Sequence, residues 1–63
     1  MIAKLLKETQ VAELLGVSVM TLRKWRSERR GPAYIKLGRS VRYSPKEIIE
    51  YQDRGVVNPI EQR

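Results

Sequence analysis

The sequence predicts a mainly α-helical fold with a small β-hairpin, and three observations lead to it. Two short amphipathic stretches meet at Gly16-Val17-Ser18, the pattern of two helices joined by a tight turn. A change to period two around Gly38-Arg39 indicates the hairpin. Ser44-Pro45 then opens a third amphipathic stretch.

Each element has local reasons. A first helix over 8–15 follows from apolar residues at Val11, Ala12, Leu14 and Leu15, with Gly16 supplying the positive φ of a helix C-terminus. A second helix over 18–29 starts at Ser18, whose side-chain oxygen can cap it, and turns Leu22 and Trp25 inward. It must end before Gly31-Pro32, because proline cannot continue a helix. The hairpin over 33–43 alternates, so that Ile35, Leu37, Val41 and Tyr43 are expected inside and Lys36 and Arg42 outside. A third helix over 45–54 has Ser44 and Glu47 at capping-box spacing and Pro45 at the first helical position. Ile48, Ile49 and Tyr51 give it a buried side, and Gly55 a stop.

A chain of 63 residues has room for one domain. Such a domain buries only about 60% of its unfolded surface, so the core is small. The expected organisation is a domain over 1–55 and a flexible tail over 56–63, where Asn58-Pro59 interrupts a stretch without periodicity. Cysteine and histidine are absent, which removes thiolate nucleophiles, disulfides, the usual general base and the commonest metal ligands. No catalytic constellation is visible, and no cofactor or metal is expected. No apolar run approaches the roughly 20 residues of a membrane helix, so no membrane association is expected and the cytoplasm is the expected location.

The net charge of +6 is unevenly placed. Residues 18–43 carry eight basic side chains against Glu28 alone, while the flanking segments are close to neutral. A basic block of this kind marks a polyanion-binding surface, or else a solvated face that aids solubility. The spacing from Val11 to Ser18, continued to Leu22 and Trp25, is that of a helix-turn-helix. Ala12 is small where the second helix crosses, Gly16 makes the turn, and Leu15, Val17, Leu22 and Trp25 fill the wedge between the helices. An ordinary αα-hairpin shares some of these features, but the adjoining basic block favours double-stranded DNA as the partner.

The stretch Val11-Ala12-Glu13-Leu14-Leu15-Gly16-Val17-Ser18 with Thr21-Leu22-Arg23-Lys24-Trp25 resembles the MerR-like winged helix-turn-helix superfamily. More narrowly, it is similar to phage excisionases and AlpA-type regulators. Gly31 to Tyr43 resembles that family's wing, and Glu47-Ile48-Ile49-Glu50-Tyr51 its closing helix, so the likeness spans about residues 5–54. Lys7 departs from the pattern, which usually has Thr or Ser as the first helix cap, and a weakly capped first helix is expected.

The resemblance implies a winged helix-turn-helix that reads DNA with its second helix and steadies itself with its wing. On the second helix Ser18, Met20, Thr21, Arg23, Lys24 and Ser27 are the expected DNA-facing residues. Arg23 has the fork to read guanine, Lys24 suits phosphate, and Met20 suits a thymine methyl or the edge of the core. Arg23 has a competing reading as a surface ion pair. On the wing, Lys36, Arg39 and Arg42 are expected at the backbone or an adjacent minor groove. The expected role is an excisionase, or recombination directionality factor. Such a protein bends DNA beside a phage attachment site in the nucleoid of a bacterial host and assists an integrase. The absence of a visible sensor or effector segment suits that architectural role. Cooperative self-association on DNA would draw on Val56, Val57 or Ile60. An AlpA-type transcription regulator is the alternative within the family. A protein-interaction module, such as an antitoxin or adaptor, is the alternative of another class.

Overall fold

The computed structural model describes residues 4–57. Six elements follow in order: β1 (Leu6–Lys7), α1 (Glu8–Leu15), α2 (Val19–Ser27), β2 (Ile35–Leu37), β3 (Ser40–Tyr43) and α3 (Pro45–Arg54). The strands form one antiparallel sheet in the order β1-β3-β2. This is a mainly helical winged helix-turn-helix, with β2 and β3 as the wing.

Both helices of the helix-turn-helix end in the same way. At the end of α1, Gly16 has φ 69°. Its N–H donates to Glu13 O at 3.2 Å, and the Val17 N–H donates to Ala12 O at 3.0 Å. That pair of bonds is a Schellman motif, which satisfies the last carbonyls and turns the chain. At the end of α2 the same bonds run from Arg29 to Arg26 O at 3.1 Å and from Arg30 to Trp25 O at 2.8 Å. Here the left-handed position is held by Arg29 at φ 59°, where glycine is usual. The second helix therefore stops at Ser27, two residues short of the sequence expectation, because the chain turns before Gly31-Pro32 is reached.

The helix starts differ in quality. Ser18 Oγ accepts from the Thr21 N–H at 3.0 Å, a complete N-cap for α2. Lys7 stands at the N-cap of α1, where an ammonium has no acceptor to offer. Only the returning half of a capping box forms, with the Lys7 N–H donating to Gln10 Oε1 at 2.9 Å. At α3, Pro45 occupies the first turn as expected, but the Ser44 side chain makes no capping bond, so the Ser44–Glu47 box does not form.

The core is small: Val11, Ala12, Leu22, Tyr43 and Ile48 are buried, with Leu6, Leu15, Val17, Val19, Trp25 and Val41 packed around them. Three expected core residues are not in it. Ile35 and Leu37 are exposed, Leu37 at 53%, and the register gives the reason. The two-residue loop Gly38-Arg39 pairs Leu37 with Ser40, Lys36 with Val41 and Ile35 with Arg42. Paired residues share a face of the sheet, so Ile35 lies on the side of Arg42, opposite Val41 and Tyr43. Lys36 shares the side of Val41, at the outer strand, and stays exposed. Ile49 is the third departure: it is 57% exposed, because Ile48 alone on that turn of α3 meets the core. Gly16 also faces solvent, which suits its role in the turn. Strand β1 adds an element that the sequence pattern does not announce. Leu6 pairs with Tyr43 and Lys7 with Arg42, tying the chain before α1 to the wing.

Candidate nucleic-acid interface

Helix α2 presents a distinct outer face. Leu22 is fully buried, and Val19, Trp25 and Arg26 are half-buried beside it. With 3.6 residues per turn, Met20, Arg23, Lys24 and Ser27 fall on the opposite side, and all four are exposed. Met20, at 69% exposure, takes no packing role. Ser18 and Thr21 sit at the start of the helix with their hydroxyls 2.9 Å apart, so Ser18 Oγ is engaged in capping.

Beside this face lies an open cleft of about 400 Å³. The N-terminus of α1, the flank of α2 and strand β3 with its turn form its walls. Its lining includes Lys7, Arg23, Arg26, Arg39 and Arg42, with Glu8 as its one acidic side chain. The structure thus brings the expected Arg23, Arg39 and Arg42 to one surface, although they come from α2 and the wing. Lys24, Ser27 and Lys36 are exposed but do not line this cleft.

A chain of polar contacts crosses the cleft wall. Arg23 holds Glu8 with two atoms: Nη2 donates to Oε2 at 2.7 Å and Nε to Oε1 at 3.3 Å. Arg26 Nη1 lies 3.2 Å from Glu8 Oε1 and donates to the Tyr43 hydroxyl at 3.0 Å. Its guanidinium also stands over the Tyr34 ring, 5.8 Å from the centroid. The hydrogen bond from Arg23, joined by that from Arg26, holds the Glu8 carboxyl below its ordinary value against the opposing effect of burial. Arg42 donates to the Val41 carbonyl at 2.9 Å. Glu8, Arg26 and Lys7 were not among the residues expected at the surface. Arg26 belongs to the basic block and shares a flank with Arg23 at helical spacing, a signal that was present. Nothing local marks Glu8, whose partner Arg23 is 15 positions away.

A family model described as a helix-turn-helix domain matches residues 5–56. The chain belongs to that helix-turn-helix family. No curated protein and no solved structure matches the chain significantly. Membership of a helix-turn-helix family implies double-stranded DNA as the partner. In this helix-turn-helix domain, α2 is the second helix of the motif and the cleft adjoins it on the side of the wing. Among the described residues no helix is long and apolar enough to cross a membrane.

Proposed function

We propose that the chain is a sequence-specific DNA-binding protein that acts by binding alone, as an excisionase. It inserts α2 into a major groove and sets the wing against the neighbouring backbone. The observation that carries the DNA reading is the cleft itself, where five basic side chains from three elements converge beside the exposed face of α2. In this reading Arg23 reads a base, Met20 and Thr21 meet base edges, and Lys24, Ser18 and Ser27 meet phosphate or base. Arg39 and Arg42 anchor the backbone, joined by Lys36 along the outer strand. The cleft adds Lys7 to this set.

The excisionase role rests on the resemblance of residues 5–54 and on a family that includes excisionase-like and AlpA-like proteins. Such a protein binds spaced sites beside a phage attachment site, bends the DNA and assists an integrase. Side-by-side copies on DNA would need an apolar contact surface. Val56 and Val57 are exposed and available for it, whereas Ile60 lies outside the described residues. Footprinting on DNA flanking the gene tests the role. Several spaced, bent sites near an attachment sequence are expected. A single protected operator over a promoter would assign the chain to transcription regulation. Binding that is weak, unspecific and indifferent to Arg23→Ala would point to a protein-interaction module.

A further inference from the structure

Arg23 carries two hydrogen-bonding edges. The side-on edge, Nε with one proton of Nη2, is occupied by Glu8. The end-on edge, Nη1 with the other proton of Nη2, makes no hydrogen bond among the described residues. The Arg23 side chain is 54% exposed, while Glu8 and Arg26 behind it are 22% and 18% exposed. Glu8 is in turn fixed by Arg26, and Arg26 by the hydroxyl of Tyr43, which is fully buried. A continuous set of contacts thus runs from the core to an exposed arginine of the cleft.

We propose that Glu8 is the positioning residue that makes Arg23 a guanine reader. The inference rests on the DNA reading of the cleft. A free arginine at the surface must lose rotamer freedom when it binds a base, and that loss weakens binding. The Glu8 carboxylate removes much of that freedom beforehand. It takes the edge a base does not need and leaves the end-on fork, whose two parallel N–H groups match guanine O6 and N7. The carboxylate also neutralises part of the charge on Arg23 and Arg26. Phosphates, present at every position of a duplex, then attract this corner of the cleft less than they attract Lys7, Arg39 and Arg42. Among the described residues those three make no ion pair. Anchoring charge and reading charge are separated within one cleft.

The test begins with selection of duplexes from a random pool by the full chain. Affinity is then measured for the selected duplex and for versions with each G·C pair replaced by A·T. Arg23→Ala is expected to lose discrimination at one G·C pair by about five- to a hundredfold. Glu8→Gln is expected to lose most of the same discrimination at that pair and at no other. Its affinity for an unrelated duplex should be equal or higher, since a negative charge has left the cleft. Retained discrimination in Glu8→Gln, or an even loss at every position, overturns the proposal. Arg23→Lys gives a second reading that does not depend on how Glu8→Gln folds. It keeps the charge and an ion pair to Glu8 but has no planar fork held edge-on, and is expected to lose most of the guanine preference; if it keeps that preference in full, the proposal falls. A wild-type chain that selects no duplex overturns the DNA reading itself, whereas a selecting chain with an indifferent Glu8→Gln overturns only the inference drawn from it.

Discussion

Gly31 is the position where the path from α2 to the wing is set by a single missing atom. The residue has φ 87°, and a Cβ built there would lie 3.0 Å from both Cβ and Cε3 of Trp25. Gly16 has a similar φ of 69°, but a Cβ there meets nothing within 4 Å. The two glycines therefore separate backbone strain from crowding. Alanine in the left-handed region costs roughly 1–2 kcal/mol. Stiffening the unfolded chain offsets about 0.4–1 kcal/mol of that. Gly16→Ala should thus destabilise by about 0.5–1 kcal/mol. Gly31→Ala adds overpacking against Trp25, typically ~1–3 kcal/mol, for a total of about 1.5–4 kcal/mol. Rotating the Trp25 ring does not relieve the contact with its Cβ, which is fixed to the α2 backbone. A domain of this size has a total stability of roughly 3–9 kcal/mol. Gly31→Ala should therefore lower the midpoint of thermal unfolding by well over ~10 °C, and Gly16→Ala by only about 5 °C. Circular dichroism melts and urea titrations of both variants give the comparison. Equal losses, or a smaller loss at Gly31, would refute close packing of the chain on Trp25 as the reason for glycine there.

Other substitutions probe separate parts of the structure. Leu22→Ala empties the fully buried centre of the core and should cost about 2.7–5 kcal/mol, enough to leave much of the chain unfolded by circular dichroism. Arg29→Gly relieves a side chain held at φ 59° and should raise the melting midpoint by about 2–5 °C. A fall instead would mean that the Arg29 side chain, beside Arg26 and Tyr34, contributes more than its backbone costs. Arg39→Ala should weaken binding to all duplexes alike and flatten the log–log salt dependence by about 0.9, read from affinities over a salt series. Glu8, whose folded carboxyl titrates below its unfolded value, stabilises the fold above about pH 4.5. That contribution is lost as pH falls through the lowered folded value. The stability gap between wild type and Glu8→Gln in urea should be present near pH 7 and narrow progressively as pH is lowered below about 4.5.

How far the fold was legible differs by element, for physical reasons. The bounds of α1 and α3 are local properties: Gly16 must take a positive φ, and Pro45 fits only a first turn. The hairpin was legible as a hairpin, but its inner face was not. Four apolar residues at odd positions look like one stripe, yet a two-residue loop pairs odd positions with even ones. Ile35 and Leu37 therefore cannot share a side with Val41 and Tyr43. The loop length held that information, and hydrophobic pattern alone misleads. Strand β1 is only two residues long and depends on Tyr43 and Arg42 far along the chain. The end of α2 was misplaced because Arg29 takes a backbone conformation that sequence reasoning reserves for glycine.

The site shows the same division between local and distant causes. A helical wheel finds the outer face of α2, because exposure of Met20, Arg23, Lys24 and Ser27 follows once Leu22 is anchored. The wheel cannot say what Arg23 is holding. From the sequence, Arg23 has two competing readings, a reader of bases or a partner in a surface ion pair. The structure shows the ion pair, with Glu8 at 2.7 Å, and the atoms involved leave it compatible with the proposed base reading. A pair through Nη1 and Nη2 would have consumed the end-on edge and left only the side-on one for a base. A pair through Nε and Nη2 leaves that edge free and steadies it. Whether an arginine is spent or prepared by its carboxylate therefore depends on which two nitrogens it uses. That choice is made by the placement of α1 against α2, which no local pattern in either helix encodes.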